Sequence, residues 1–367
     1  MPRAAQCAKL RVSISPTNLS KLGIIAVQMT AFEIFLHRQD ASAWEQALTE
    51  LRNEIHEVDR NATEIWLRFY PLSLHELLAT AEDAEALARK LLLEGDYRLA
   101  NQINTSHRFL YAHRFWAQAK RAVQTHAESA TPEPHETLAA SIRKINASVA
   151  DDAKQDQSIT LGITFVAVMT LRQTGLAVFA AAPEELALER AELKRTPDQI
   201  LRERARDNGQ GLFGFLKTEN KTWTVTFDES SSDARFKVIH SEEIASGAAR
   251  DTRDWSKVDA RRTEGPIPVQ CRAAACGTCW VGVLGGHEKL SPVSRLEGTK
   301  IKEFGYINTD EERPLIRLTC MAQATGAVSV VIPPWNGFFG KIPGQWSEAQ
   351  EAERQASAGQ EVEGFKG

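Results

Sequence analysis

Cysteine is scarce in this chain and its number is odd, five in 367 residues. An odd count in a long chain argues against a disulfide framework and for a reducing compartment. Charge of one sign is scarce as well. Lys and Arg total 44 against 48 Asp and Glu, a formal net charge of −4, so whole-chain electrostatics point to no nucleic-acid partner. Long apolar runs are missing too. The start, Met1-Pro-Arg-Ala-Ala-Gln-Cys-Ala-Lys9, has no apolar core of signal-peptide length. Ile159–Leu171 is almost wholly apolar and Gly175–Ala182 continues the trend, but Arg172 and Gln173 fall between them. A charge at mid-bilayer costs at least ~2.5 kcal/mol, and the run is shorter than the ~20 residues a spanning helix needs. The expectation is a cytoplasmic protein with no transmembrane span, in which this stretch is a helix buried between domains. Peripheral attachment to a membrane complex stays open.

What the chain does have is enough apolar sequence for two or three domains, at 43% hydrophobic and 25% charged residues. Residues 1–20 read as a tail, with Cys7 a spare thiol in it. From 21 to 130 the pattern is helical. Trp44, Leu48, Leu51, Ile55 and Val58 recur every three or four residues and share one face, with Asp40 or Ser42 as a start and Asn61 near the stop. Further helices are expected at Leu74–Leu78, at Ala84–Leu93 ended by Gly95, and around Ser106–Val123. Thr131-Pro-Glu-Pro134 breaks the pattern, so 131–158 reads as a linker carrying one exposed helix near Glu136–Ala150. A helical segment follows over 159–215, with a charged helix at Glu184–Arg206 and Pro183 in its first turn.

Near Thr222 the periodicity changes to alternation. Trp223–Phe227, Phe236–Ile239, Trp280–Leu284 and Ala327–Ile332 read as strands. Ser230–Asp233 supplies a turn and Glu242–Ala249 a short helix. Ser291–Phe304 reads as another helix, with Ser291 as N-cap and Pro292 at its first position. The class is α+β, a mainly helical N-terminal region followed by a sheet domain over 222–343. Residues 344–367, rich in Gln, Glu, Ala and Ser, read as a disordered tail.

The chemistry-bearing motif is Cys271-Arg-Ala-Ala-Ala-Cys276-Gly-Thr-Cys279, with Cys320 far downstream in Arg317-Leu-Thr-Cys320-Met. The C-x4-C-x2-C…C spacing is the plant-type pattern for a [2Fe–2S] cluster. Four thiolates must converge on a small volume, and the residues between the first three are small enough for the backbone to wrap closely. Backbone N–H groups of such a loop can point at sulfur and tune the potential. Thr278 adds a hydroxyl, and Arg272 a positive charge beside an anionic centre. Zinc is the competing reading, but structural zinc sites usually pair two short Cys knuckles, and here the arrangement is three plus one.

These residues resemble the cluster loop of β-grasp [2Fe–2S] ferredoxins. Arg317-Leu-Thr-Cys320-Met-Ala-Gln and Gly326-Ala-Val-Ser-Val are similar to that family's closing segment, and Leu284–Pro292 to a form found in ferredoxin modules of larger redox proteins. The resemblance covers about a third of the chain and implies a β-grasp ferredoxin-like domain at 222–343. It departs at Ala274, where the family often has Gly, which implies an unusual backbone angle there. The stretches Arg250–Gln270 and Trp280–Thr319 are also longer than in compact ferredoxins. Many free ferredoxins are strongly acidic, but Thr222–Lys341 carries fifteen Lys/Arg and fifteen Asp/Glu. Electrostatic steering would be weak, which favours a fixed complex.

Two other signals carry less. Gly209-Gln-Gly211-Leu-Phe-Gly214 matches G-x-G-x-x-G, but it follows a charged helix and not a strand, so a hinge is the better reading and no flavin or NAD site is visible. His37, His56, His75, His107, His113 and His126 lie in the first half. His107 and His113, six apart, fall on different faces of one helix and would not share a metal there. A bis-histidine haem or metal site built from two helices is the alternative to structural histidines.

The function expected is one-electron transfer through a [2Fe–2S] cluster held by Cys271, Cys276, Cys279 and Cys320. The chain would be a ferredoxin-like module serving a partner oxidoreductase, docked by its helical half, with no catalytic site of its own. The alternative is an iron–sulfur redox sensor whose helical half is the effector.

Overall fold

The structure, a computed structural model, describes residues 29–91, 93, 97–183, 193–206, 221–257, 265–304 and 311–334. The expected tails, Cys7, Gly95, the Gly209–Gly214 hinge and most of the charged helix after Pro183 lie outside these residues.

Ten α-helices precede the sheet among the described residues. They are α1 (Ala31–His37), α2 (Ala41–Leu51), α3 (Glu57–Phe69), α4 (Leu72–Thr80), α5 (Ala84–Lys90), α6 (Trp116–Ser129), α7 (Leu138–Ala153), α8 (Gln157–Thr174), α9 (Leu176–Ala181) and α10 (Pro197–Ala205). Their starts are written in short polar side chains. Thr30 and Thr196 form capping boxes with Glu33 and Gln199, and Asp40, Asp83, Thr137 and Asp156 cap α2, α5, α7 and α8. Each such cap is worth about 1 kcal/mol. Pro197 occupies a first-turn position of α10, and the first turn expected after Pro183 lies outside the described residues.

The face expected as one helix from Trp44 to Val58 is split. The chain turns after Leu51, and His56 N donates to Ser158 O at 2.9 Å, tying the turn to the start of α8. His56 Nδ1 then accepts from Val58 N and caps α3. All five apolar residues are buried nonetheless. Asn61 stops nothing. It lies within α3, and its Nδ2 donates to Leu284 O across to the sheet.

The segment 131–158 is not a linker. Leu138, Ile142, Ile145 and Val149 of α7 are buried and pack on α8. Its polar residues misled because one of them works inside: buried Asn146 accepts from the hydroxyls of Thr160 (2.7 Å) and Thr164 (3.1 Å) and donates to Gln157 O. The apolar stretch is the centre of the bundle, with every residue of α8 from Ile159 to Gln173 buried. Arg172 closes it, donating to Leu36 O (3.1 Å) and to Glu76 (2.9 Å). Among the described residues no helix is long and apolar enough to cross a membrane.

The C-terminal part holds β1 (Thr222–Thr226), β2 (Arg235–Ile239), β3 (Glu242–Glu243), α11 (Ile244–Arg250), β4 (Trp280–Gly285), α12 (Arg295–Phe304), β5 (Ile316–Leu318), β6 (Gln323–Ala324) and β7 (Val328–Val331). Five strands form one mixed sheet in the order β2-β1-β7-β4-β5. Its centre is a parallel β1–β7 pair; the other pairings are antiparallel. Helix α11 packs on β2 at Gly247, where a Cβ would stand 2.4 Å from Val238 Cγ1. The expected helix at Ser291 starts later, at Arg295. Ser291 is engaged elsewhere: its N donates to Gln323 O (2.9 Å) and its Oγ accepts from Gln323 N (3.2 Å). Ser294 Oγ instead accepts from Glu297 N. The class is α+β, as expected.

The two parts are joined across the sheet. Val281 and Val283 belong to the core beneath α11. Trp280 and Leu284, on the other face, belong to the same core as the helices. Between them Gly282 lets α3 lie close, since a Cβ there would be 2.4 Å from Ile65 Cγ2 and 3.1 Å from Phe69 Cζ. Arg204 on α10 clamps the same seam. It donates to Val58 O of α3 (2.6 Å) and grips both carboxylate oxygens of Glu229, after β1, at 2.8 and 2.9 Å. Burial works against the Glu229 carboxylate, but the Arg204 charge and hydrogen bonds from Arg204 and Ser329 outweigh it and hold its pKa below the usual range.

Candidate iron–sulfur site

The loop that ends at β4 carries Cys271, exposed, Cys276, half-buried, and Cys279, buried; Cys320, also buried, follows β5. The loop curls round the first of these. Ala273, Ala275 and Cys276 each donate a backbone N–H to Cys271 Sγ, at 3.4, 3.2 and 3.3 Å. That curl needs left-handed backbone, and Arg272 (φ 52°), Ala274 (φ 57°) and Gly277 (φ 68°) supply it. The unusual angle expected at Ala274 is present. A left-handed L-residue costs roughly 1–2 kcal/mol, and strain of this kind tends to collect at functional sites. Ala274 is fully buried, so its methyl fills space that a longer side chain could not. Buried Thr278 Oγ1 accepts from Gln270 N (3.2 Å) and lies 3.1 Å from Cys276 Sγ.

The fourth cysteine arrives through strand pairing. Trp280 pairs with Leu318 in the β4–β5 ladder, and Thr319 N donates to Cys279 O at 3.0 Å. This brings Cys320 Sγ to 3.3 Å from Cys279 Sγ, too far for a disulfide at ~2.05 Å. The structure thus joins Cys279 to Cys320 and keeps Cys271 and Cys276 in the loop beside them. Among the described residues no three ligating side chains are yet gathered round one point.

The electrostatics favour thiolates at two positions. At Cys271, burial raises the pKa, but hydrogen bonds from Ala273 N, the Cys276 thiol and the other loop N–H groups outweigh it and leave it lowered. The hydrogen bond from Cys279 lowers Cys320 to about 7 against the effect of burial. That same bond, followed by burial, pushes Cys279 well up. Thiolates are the metal-ligating form. The residues fit an iron–sulfur group: sulfur donors from a loop rich in inward N–H groups, and a buried Thr319 hydroxyl beside Cys320 with no hydrogen-bond partner among the described residues.

Sequence reasoning missed the support behind Cys320. Arg317 and Glu297 pair at 2.9 Å on both prongs, and Glu297 Oε1 also accepts from Leu318 N. No local signal joins a first-turn Glu to an Arg 20 residues later. The histidine expectation is corrected. Residues 99–102 and 111–115 are 3-10 turns, and α6 begins only at Trp116. His107 and His113 therefore meet, Nδ1 to Nδ1 at 2.8 Å. His107 Nε2 lies 3.1 Å from Ile103 O, so it donates there and Nδ1 accepts from His113.

A search of curated proteins and a search of solved structures return no match to this chain. The helical region lies outside the family match as well. Residues 250–325, which contain the cysteine loop and Cys320, match the family described as 2Fe-2S iron-sulfur cluster binding domain, and the cofactor of that domain is a [2Fe–2S] cluster.

Proposed function

We propose that this chain is a one-electron carrier in which Cys271, Cys276, Cys279 and Cys320 hold the cluster. The capacity for electron transfer comes with the domain. When bound, the cluster takes up and releases single electrons, near ~−400 mV if it follows the plant-type figure. The chain's own residues set the terms. Loop N–H groups aimed at Cys271 Sγ stabilise negative charge on sulfur, and the exposed rim of Cys271, Arg272, Ala273 and Ala275 is the side from which a partner reaches the centre. Buried Cys279 and Cys320 keep the opposite side dry.

The chain serves a partner oxidoreductase as a fixed module, in the cytoplasm. The observation that carries this reading is the loop itself, three N–H groups on one sulfur with left-handed backbone at Arg272 and Ala274. The equal numbers of acidic and basic residues over Thr222–Lys341 favour a standing complex over long-range steering. The seam at Gly282 and Arg204 makes the helical half part of the carrier's body, which favours a docking platform over a detachable effector. Iron, labile sulfide and visible absorption of protein purified without oxygen test the proposal. Two irons and two sulfides per chain, with absorption that bleaches on reduction, are expected. A colourless protein holding zinc and no sulfide would refute it.

A further inference from the structure

A cavity of about 240 Å³ opens beside α4 and the start of α5, walled by Phe69, Tyr70, Leu74, Leu78, Tyr97 and Leu99. An apolar cavity of ~150 Å³ already takes one benzene ring, so this one has room for two fused rings. Three longer polar side chains reach it, His75, Arg98 and Gln173. Gln173 donates its Nε2 to Tyr70 O at 2.8 Å, and Arg98 pairs with Glu85 at the exposed lip. His75 differs from both. Neither of its ring nitrogens has a hydrogen-bond partner among the described residues. Burial first, then the charges of Arg172 and His37, press its pKa to about 4. At neutral pH the imidazole is uncharged and offers one N–H and one lone pair.

The back wall faces the cluster domain. Phe69 lines the cavity and also touches the sheet at Gly282, where a Cβ would lie 3.1 Å from its Cζ. Gly282 is three residues beyond Cys279 on β4, about 10 Å of strand. One aromatic side chain therefore stands between this cavity and the strand that leaves the cysteine loop.

We infer that this cavity binds a neutral, flat, two-ring carbonyl compound of the quinone class, with His75 donating to a carbonyl oxygen and Phe69 between the ring and β4. Flat apolar rings suit aromatic and leucine walls. A carbonyl oxygen matches an unsatisfied N–H on a neutral imidazole, and a charged ligand would find no free counter-charge on that imidazole. The redox-active class rests on the proposed electron-carrier role; the ring site and its donor do not.

Equilibrium dialysis of the intact, cluster-loaded protein with 2-methyl-1,4-naphthoquinone, and with 2-methylnaphthalene as the same rings without oxygens, tests this. Saturable one-site quinone binding is expected. Leu78→Trp, which fills the cavity, should weaken both probes at least tenfold. Ala79→Leu at the exposed lip does the same if Leu78→Trp fails to fold by circular dichroism. His75→Phe should weaken the quinone at least fivefold and leave the hydrocarbon unchanged. Absence of saturable quinone binding, or equal binding of both probes that His75→Phe does not alter, overturns the inference. Iron and sulfide assays on the same samples report separately. Binding that depends on His75 in protein without iron or sulfide would overturn the electron-carrier reading and leave the ring site standing.

Discussion

Arg317 and Glu297 form a two-pronged ion pair with no exposure on either side chain, immediately before the strand end that delivers Cys320. Glu297 also takes the N–H of Leu318, and Arg317 Nη1 donates to Ser291 O at 2.9 Å. Breaking a buried pair from one side leaves an uncompensated charge, typically at a cost of ~3–5 kcal/mol. Glu297→Gln should therefore lower the denaturant midpoint by that much in free energy. Replacing both partners with apolar residues should cost clearly less than the sum of the two single changes, as read by a double-mutant cycle.

Cys320→Ser should remove the visible absorption and the bound iron, because the only thiol among the described residues that reaches Cys279 from outside the loop is lost. Cys7→Ser should leave both intact. Equal iron content in the two variants would contradict the proposed ligand set.

The seam at Gly282 gives a stability prediction. A methyl there meets Ile65 and Phe69 inside contact distance, and overpacking of this kind costs about 1–3 kcal/mol. Gly282→Ala should lower the melting temperature. Because one core runs from the helices to Trp280 and Leu284, far-ultraviolet and near-ultraviolet signals should melt together, and two separate transitions would show that the halves unfold independently.

His75 gives a pH prediction. Its folded pKa is about 4 against an ordinary value of 6.5, so between those values the unfolded chain binds more protons than the native one. Stability linked to His75 is then complete above pH 6.5 and is lost as pH falls towards 4, by roughly 3 kcal/mol. Buried Asp59 works in the opposite sense, because desolvation raises it to about 6 despite hydrogen bonds from Ala112 and Tyr111. Histidine proton resonances followed against pH should show a midpoint near 4 for His75, and His75→Gln should flatten the acid limb of the stability curve.

The cysteine loop was legible because its chemistry is local: three cysteines and the small residues between them fall within nine positions. The left-handed angle at Ala274 could be expected for the same reason. The partnership of Cys279 with Cys320 was legible from the C-x4-C-x2-C…C pattern and not from local structure, since β5 has three residues and no alternation to announce it. Sequence reasoning set α7 aside as spacer because its inward Asn146 looks like surface, although two threonine hydroxyls on α8 satisfy it. It separated His107 from His113 because the α-helical angle was applied where the chain runs through turns into a short 3-10 stretch. The seam was invisible: Gly282 within β4 is a single missing side chain, and only α3 lying across it reveals why.

That glycine also decides how the protein can be handled and how its ancestry should be pictured. A fragment beginning at residue 221 would turn the flank around Trp280, Gly282 and Leu284 to water and should clump unless something else covers it. A free-standing relative's sheet, grafted in its place with a bulky residue at that position, would not seat against α3. The cluster-binding domain and its helices are therefore a matched pair of surfaces.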